Sequence, residues 1–564
     1  MGGTIFMVQI VIVLAIFMIL VIPMGKYLYH IATNQKTFGD RLFDKVDNFI
    51  YKVCSIDKKK EMNWKQYALA LLFTNAVMVF IGYIILRTQS MHIFNPSGIK
   101  SMEQGLSFNT IISFMTNTNL QHYSGESGLS YFSQMTVIIY MMFTSAATGY
   151  AAAMAFVRGL VGKKKTLGNF YVDLIRITTR VLLPGALIIG LILVTQGVPQ
   201  TFAGTETVTT IEGKLQDIAR GPVAALESIK HLGTNGGGFF GSNSSHPFEN
   251  PTIISNIVEI LSMMILPGAC VVAFGHMIKN KKQGWVVFGA MSIIFLIGLV
   301  VCFKAESAGN PILSQLGLNQ SMGSMEGKEV RFGIAQSSLF TTVTTSFTTG
   351  TVNNMHDTLT PLGGLVPLLN MMLNVVFGGK GVGLMNMLMY AIIAVFLCGL
   401  MVGRTPEFLT KKIEGKEMKL IALLIILHPL LILMFSGLSV AIPAGLEGIS
   451  NPGFHGLSQV LYEFASSAAN NGSGFEGLGD NTMFWNITTG VVMFFGRYVS
   501  IIVLLAISSL LASKKAVNES IGTLRTDNFT FTIVLVLVVL IVGALTFFPA
   551  LALGPISEHL VLWH

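Results

Sequence analysis

Charge is what this 564-residue chain has least of: 11% of its residues are charged and 52% are apolar. Soluble domains carry about 25% charged residues. A water-soluble protein of this composition would expose apolar surface almost everywhere. The composition therefore excludes that class and leaves a polytopic membrane protein. Cysteine is sparse too. Cys54, Cys270, Cys302 and Cys398 are far apart and form no C-x-x-C pair, which argues against a thiolate metal centre or a disulfide framework. Phosphate-binding sequences are also missing. No G-x-x-x-x-G-K-[ST] occurs, and "GGKG" (378–381) lies inside an apolar span. There is no basic–aromatic surface of the kind nucleic acids need, although the net charge is +8.

What is present is a series of apolar runs near the 20 residues that cross a bilayer. They fall at about 4–25, 66–87, 131–157, 176–196, 252–278, 284–304, 365–402, 418–442, 483–512 and 528–552. The first has no basic residue ahead of it and no small-residue cleavage pattern behind it, so it reads as a retained helix with its N-terminus outside. Basic residues then mark every second loop: Lys58-Lys59-Lys60, Arg158 with Lys163-Lys164-Lys165, Lys279 with Lys281 and Lys282, Arg404 to Lys419, and Lys514-Lys515. The positive-inside rule makes these loops cytoplasmic and puts the C-terminus outside.

The outer loops share a form. Each holds an amphipathic segment too short to span, then a stretch rich in Thr, Asn and Gly. Four polar triplets stand in register: Asn117-Thr118-Asn119, Thr234-Asn235-Gly236, Thr348-Thr349-Gly350 and Asn470-Asn471-Gly472. Their third positions lie 117, 114 and 122 residues apart, the spacing of an internal repeat. The expected units are 1–65 (first helix and cytoplasmic loop), 66–175, 176–282, 283–417 and 418–515 (four pore repeats), and 516–564 (last helix). Irregular backbone at membrane depth is tolerated only inside protein or beside a watery cavity. Four such loops around one axis would offer carbonyl oxygens to a dehydrated monovalent cation. No carboxylate stands in the triplets, which disfavours divalent ions. The short helices would aim their negative ends at the ion. Glu126, Glu249, Asp357, Glu476 and Asp480 follow the triplets, either as an outer mouth that concentrates cations or as helix caps and ion-pair partners. A membrane enzyme built on His231, His246 or His356 is the rival from another class; no two of these histidines have i, i+4 spacing.

"TNTNLQHYSGE", "LGTNGGGFF" with "HPFENP", "GTVNNMHD", "AANNGSGF" and "RTPEFLTKKI" together resemble one family over essentially the full length. It is the potassium-binding A subunit of bacterial Kdp potassium-transporting ATPases, within the superfamily of potassium transporters. The resemblance implies an all-α fold of ten spans, with four span–pore helix–span units around a potassium-channel-like pore. It implies that the twelve triplet residues form a potassium filter and that Gln121 affects potassium affinity. It also implies a gating loop at "FGGKGVG", with Gly378, Gly379, Lys380, Gly381 and Gly383, beside the intramembrane Arg497. Arg497 alternatively snorkels to the cytoplasmic edge, and Lys380 either adds a positive plug or points into cytoplasmic water. The only bound species expected is potassium, with no ATP, haem, flavin or transition metal; the aspartyl-phosphate sequence "DKTGT" is absent, so no catalytic site is expected in this chain and ATP hydrolysis is expected of a separate subunit. The expected partners are a P-type ATPase subunit, two small membrane subunits and lipid. Arg404–Lys419 is either a docking surface for the ATPase subunit or an ordinary positive-inside loop. The expected location is the bacterial cytoplasmic membrane, with both termini outside. A free-standing channel or ion-coupled potassium transporter of the same superfamily is the alternative function.

Overall fold

The computed structural model describes residues 2–162, 165–517 and 524–563, with backbone alone for 2–7 and Lys380. Lys163, Lys164 and the Lys380 side chain, named above, lie outside what is described. Among the described residues, ten helices are long and apolar enough to cross a membrane. Several begin ahead of the apolar run, because a polar side chain captures the free amides of the first turn. Asn169 starts Phe170–Ile177, Asn280 starts Lys281–Ser307, and Glu414 with Glu417 makes a capping box for Gly415–Ala441. Two short hairpins, Glu206–Thr209 with Leu215–Ile218 and Glu407–Phe408 with Lys411–Lys412, depart from an otherwise helical chain.

Each repeat places its two spans differently. The spans that follow the triplets are Tyr131–Val161, Ile253–Met277, Val382–Met401 and Met483–Ala512, and 61–83% of their most apolar stretch is buried. The spans that precede the triplets are Trp64–Met91, Phe170–Thr195, Lys281–Gln315 and Gly415–Ala441, and only 28–50% is buried. An inner ring therefore carries the core and an outer ring presents Leu, Ile, Val and Phe outwards, as lipid requires. The helix leaving each triplet is capped by a hydroxyl: Ser130, Thr252, Thr360 and Thr482. The first helix lies along Ile253–Met277. A methyl added to Gly25 would stand 2.5 Å from Val272 Cβ, and one on Gly268 would stand 2.7 Å from the Phe17 ring. Small residues at both contacts let the two backbones approach.

The inner part of the third repeat is broken. Pro361–Leu373 ends at Asn374, whose φ of 48° is left-handed, and the helix resumes only at Val382. The break starts three residues before Phe377, where the glycine run suggested it. Asn tolerates this conformation better than other side chains.

Candidate functional site

Four short helices lead into the triplets: Gln104–Met115, Val223–Leu232, Gly333–Ser346 and Phe454–Ala469. Each ends at or just before its triplet. The first triplet residues, Asn117, Thr234, Thr348 and Asn470, all have left-handed φ, at 61°, 47°, 50° and 55°. That conformation is costly for threonine. Its recurrence in all four repeats shows that one backbone turn is imposed at equivalent positions.

The turn brings the second triplet residues together. A methyl on Gly236 would lie 2.8, 3.0 and 3.1 Å from the carbonyl oxygens of Thr118, Thr349 and Asn471. Those three oxygens come from the three other repeats. A methyl on Gly350 would fall on the Asn471 carbonyl, and one on Gly472 on that of Thr118. Third-position glycine is therefore the absence of a side chain where neighbouring strands touch. Asn119 is the exception in sequence, yet its φ of 60° matches the left-handed turn of Gly350 and Gly472. The second repeat shifts this turn by one residue, to Gly237 at 70°.

The triplets also brace one another. Asn117 Nδ2 donates to the Thr234 carbonyl at 2.8 Å, Asn470 Nδ2 to Thr118 Oγ1 at 3.0 Å, and Asn471 Nδ2 to the Thr344 carbonyl at 2.9 Å. Asn235 Nδ2 faces the Met142 and Ile229 carbonyls at 3.3 Å. The Asn119 amide and the hydroxyls of Thr234 and Thr349 are buried without a hydrogen-bond partner. Such groups need an explanation, and a cation or water is one that suits them.

Gln121 bridges rather than faces the axis. Its Oε1 accepts from Gly238 N at 2.9 Å and its Nε2 donates to Gly238 O at 3.0 Å. It thus behaves as a strand partner for the loop leaving the second triplet.

The glycine loop lies under the triplets. A methyl on Gly379 would stand 2.9 Å from both Thr234 Oγ1 and the Thr348 carbonyl. Gly378 N donates to Ser346 O at 2.9 Å, and Phe377 stacks on Phe347 with ring centres 4.6 Å apart. Gly381 packs on Ala153, and Gly383 closes back on the Phe377 carbonyl. Arg497 is buried and donates to the Ser145 carbonyl of the first repeat at 3.3 Å, rather than reaching for the cytoplasmic edge. A cavity below Asn470 runs between the broken third-repeat helix and the fourth repeat, and Asn374, Asn386, His428 and Arg497 line it.

The acidic residues do not form an open ring. Glu249 departs most from the mouth position expected of it. It is wholly buried, because its Oε2 pairs with Lys230 at 2.7 Å and its Oε1 accepts from Phe240 N at 2.8 Å. Glu126 accepts from Gly241 N at 2.9 Å, Glu476 from His356 N at 2.9 Å, and Asp357 pairs with His455 at 3.0 Å. Asp480 lies 3.7 Å from His122. Burial pulls the His122 ring towards neutrality, but Asp480 and Glu463 outweigh it and raise the pKa to about 9.

Sequence reasoning missed the buried charges behind the triplets. Lys230 joins Glu227 (2.6 Å) to Glu249, and His231 faces Glu259 at 3.2 Å, all wholly buried. The one available signal was a lysine and a glutamate on a helix that must lie inside the protein. His231, His246 and His356 are not brought together. His231 Nδ1 donates to the Glu227 carbonyl at 2.8 Å, His246 stacks on Phe240, and His356 binds Tyr462 at 2.7 Å.

A fourfold pseudo-repeat of span, descending helix, left-handed turn and span, whose turns bring carbonyls of the three other repeats around Gly236 of the second, defines a polytopic membrane protein with a channel-like fold. The solved potassium transporter TrkH from Vibrio parahaemolyticus has the same fold. It superposes with a TM-score of 0.54 at 14% identity, over 86% of this chain and 97% of its own. Residues 11–560 match the family described as Potassium-transporting ATPase A subunit, and the chain belongs to that family. Proteins described as "Potassium-transporting ATPase potassium-binding subunit" are similar along almost their whole length. Those from Clostridium acetobutylicum, Geobacillus kaustophilus and Caldanaerobacter subterraneus are 65%, 57% and 56% identical, each over 98% of this chain and 99% of its own length.

Proposed function

We propose that this chain binds external potassium in the ring of triplet carbonyls and passes it to a partner P-type ATPase subunit for ATP-driven import. The convergence of the Thr118, Thr349 and Asn471 carbonyls on Gly236 carries this reading. Carbonyl dipoles can replace the hydration shell of a monovalent cation without the strong field of a carboxylate. The four descending helices add their negative ends. The unpartnered Asn119 amide and the Thr234 and Thr349 hydroxyls suit the same ion. Gln121 sets affinity indirectly, by fixing the second loop.

Below the ring, the loop at Gly378–Gly383 obstructs the axial path. Arg497 adds a fixed positive charge near it, which opposes cation leakage. The ion then leaves sideways through the cavity at Asn374, Asn386 and His428 towards the ATPase subunit, with two small membrane subunits completing the complex. The setting is the bacterial cytoplasmic membrane with both termini outside. The alternative of a free-standing channel or ion-coupled transporter has the likeness of fold in its favour, and the full-length family match weighs against it.

Gly236→Asp tests the filter. The carboxylate would intrude among three carbonyls and add a charge, so potassium affinity and discrimination against sodium should collapse. Unchanged affinity and discrimination in a folded variant would overturn the assignment.

A further inference from the structure

The loops leaving the four triplets are tied to one another in a closed circuit. The first is tied to the second by Gln121 on Gly238. The second reaches the third through Lys230 Nζ to Ser244 Oγ at 3.2 Å, and Ser244 Oγ to Thr351 Oγ1 at 3.3 Å. The third meets the fourth through His356, whose amide donates to Glu476 and whose ring binds Tyr462, itself 2.9 Å from Ser473 Oγ. The fourth returns to the first through His122. Its Nε2 lies 3.2 Å from Glu463 Oε1 and its Nδ1 lies 2.7 Å from Asn486 Oδ1. Both acceptors are oxygens, so both ring nitrogens donate. Asp480 faces the same ring at 3.7 Å.

Glu463 has a counterpart. It stands seven residues before Asn470, and Glu227 stands seven before Thr234, whereas Thr110 and Thr341 hold the place in the other two repeats. Both glutamates are buried to 1% exposure or less and each meets a basic side chain, Lys230 for Glu227 and His122 for Glu463. The filter is thus flanked by buried charge pairs in alternate repeats. Of the two pairs, that of Glu463 joins repeats that are first and last in sequence, where no chain connection helps and the bond from Asn470 to Thr118 is the contact between the triplets themselves.

We propose that His122 and Glu463 are positioning residues for the cation. Their contact closes the circuit between the fourth and first repeats and so fixes the width of the carbonyl ring. Neither side chain touches the ion. Carbonyl rings select by how closely their oxygens are held, and an open circuit lets the first strand drift outward. The ring then accommodates ions less selectively and holds potassium less tightly. The proposal rests on the filter reading above.

The test is potassium binding to the purified full-length chain in detergent, with sodium as competitor, for the wild type, His122→Gln, Glu463→Gln, Glu463→Asp and the double Gln variant. The Gln variants should bind potassium roughly tenfold more weakly, the scale of a coupled contact, and lose preference over sodium. The double variant should be no worse than either single, because both open the same link. Glu463→Asp, which keeps the carboxylate, should recover part of the loss. Wild-type affinity and selectivity in folded Gln variants would overturn the proposal, as would losses that add independently. A wild-type chain that binds no potassium would instead overturn the filter reading itself.

Discussion

At the scale of single residues, the third triplet position answers to two separate demands. Gly350 and Gly472 must take left-handed φ, at 94° and 106°, and must leave room for the next strand's carbonyl. Asn119 meets the first demand, since asparagine tolerates that region better than other side chains. Asparagine can therefore stand at the third position, where the other three triplets have glycine. Gly472→Ala meets neither demand: its methyl would fall on the Thr118 carbonyl. We expect Gly472→Ala to abolish potassium binding and Asn119→Gly to keep the fold, both read by potassium-dependent thermal stabilisation of the purified chain. Equal stabilisation of Gly472→Ala and wild type would show that the strands have more room than this geometry gives them. Lys230 makes a different case. Its removal as Gln would leave Glu227 and Glu249 buried without their ammonium partner. Breaking one side of such a pair costs about 3–5 kcal/mol, so Lys230→Gln should lower the melting temperature markedly, while Lys230→Arg should recover much of it.

At the scale of elements, the fourth descending helix, Phe454–Ala469, is a junction. His455 in its first turn lies between Asp357 of the loop after the third triplet (3.0 Å) and Glu558 near the C-terminal end (2.8 Å). Burial lowers the His455 pKa, but the hydrogen bonds to the two carboxylates outweigh it and raise it to about 9. A raised histidine pKa stabilises the folded state fully below the unfolded value near 6.5, and the contribution fades as pH rises through the folded value. The stability difference between wild type and His455→Gln should therefore be largest below about pH 6.5 and close by about pH 9, measured as melting temperature across that range. A difference constant over the range would mean that the imidazole is held neutral. This junction was not legible in the sequence, whereas the helix carrying His455 was. Lipid demands long apolar runs, so spans announce themselves. The Asn and Gly of the triplets announce the pore turns, because these residues take left-handed φ most readily, whereas Thr234 and Thr348 take it at a cost. Nothing local marks a partner 98 or 103 positions away in an irregular loop or a terminal helix. For the same reason the individual roles of the acidic residues, buried pair or amide acceptor, were not readable.

At the scale of the whole molecule, the two rings of helices separate two tasks. The inner spans, the triplets and the glycine loop make a buried centre whose triplets brace one another, and the outer spans present their apolar faces outwards. A pore needs no fuel to bind an ion, but moving the ion against its gradient does, and on the proposed reading a partner ATPase subunit supplies it. The aspartyl-phosphate and phosphate-loop sequences are both absent, and most of the chain's length is committed to spans and the loops between them. The stretch 404–419 is tied down: Lys514 reaches Glu414 at 3.0 Å and Glu417 at 2.7 Å, and Arg404, Lys412 and Lys416 stay exposed on it while Lys411 is buried. Such a surface suits a partner that supplies the ATP chemistry. We therefore expect the purified chain to bind potassium yet hydrolyse no ATP, and to co-purify from native membranes with a P-type ATPase subunit whose hydrolysis potassium stimulates. Charge reversal at the exposed Lys412 and Lys416 should weaken that co-purification and leave potassium binding by the isolated chain intact. Steady hydrolysis by the chain alone would contradict this division of labour, and recovery of the chain without any ATPase partner would favour the free-standing transporter.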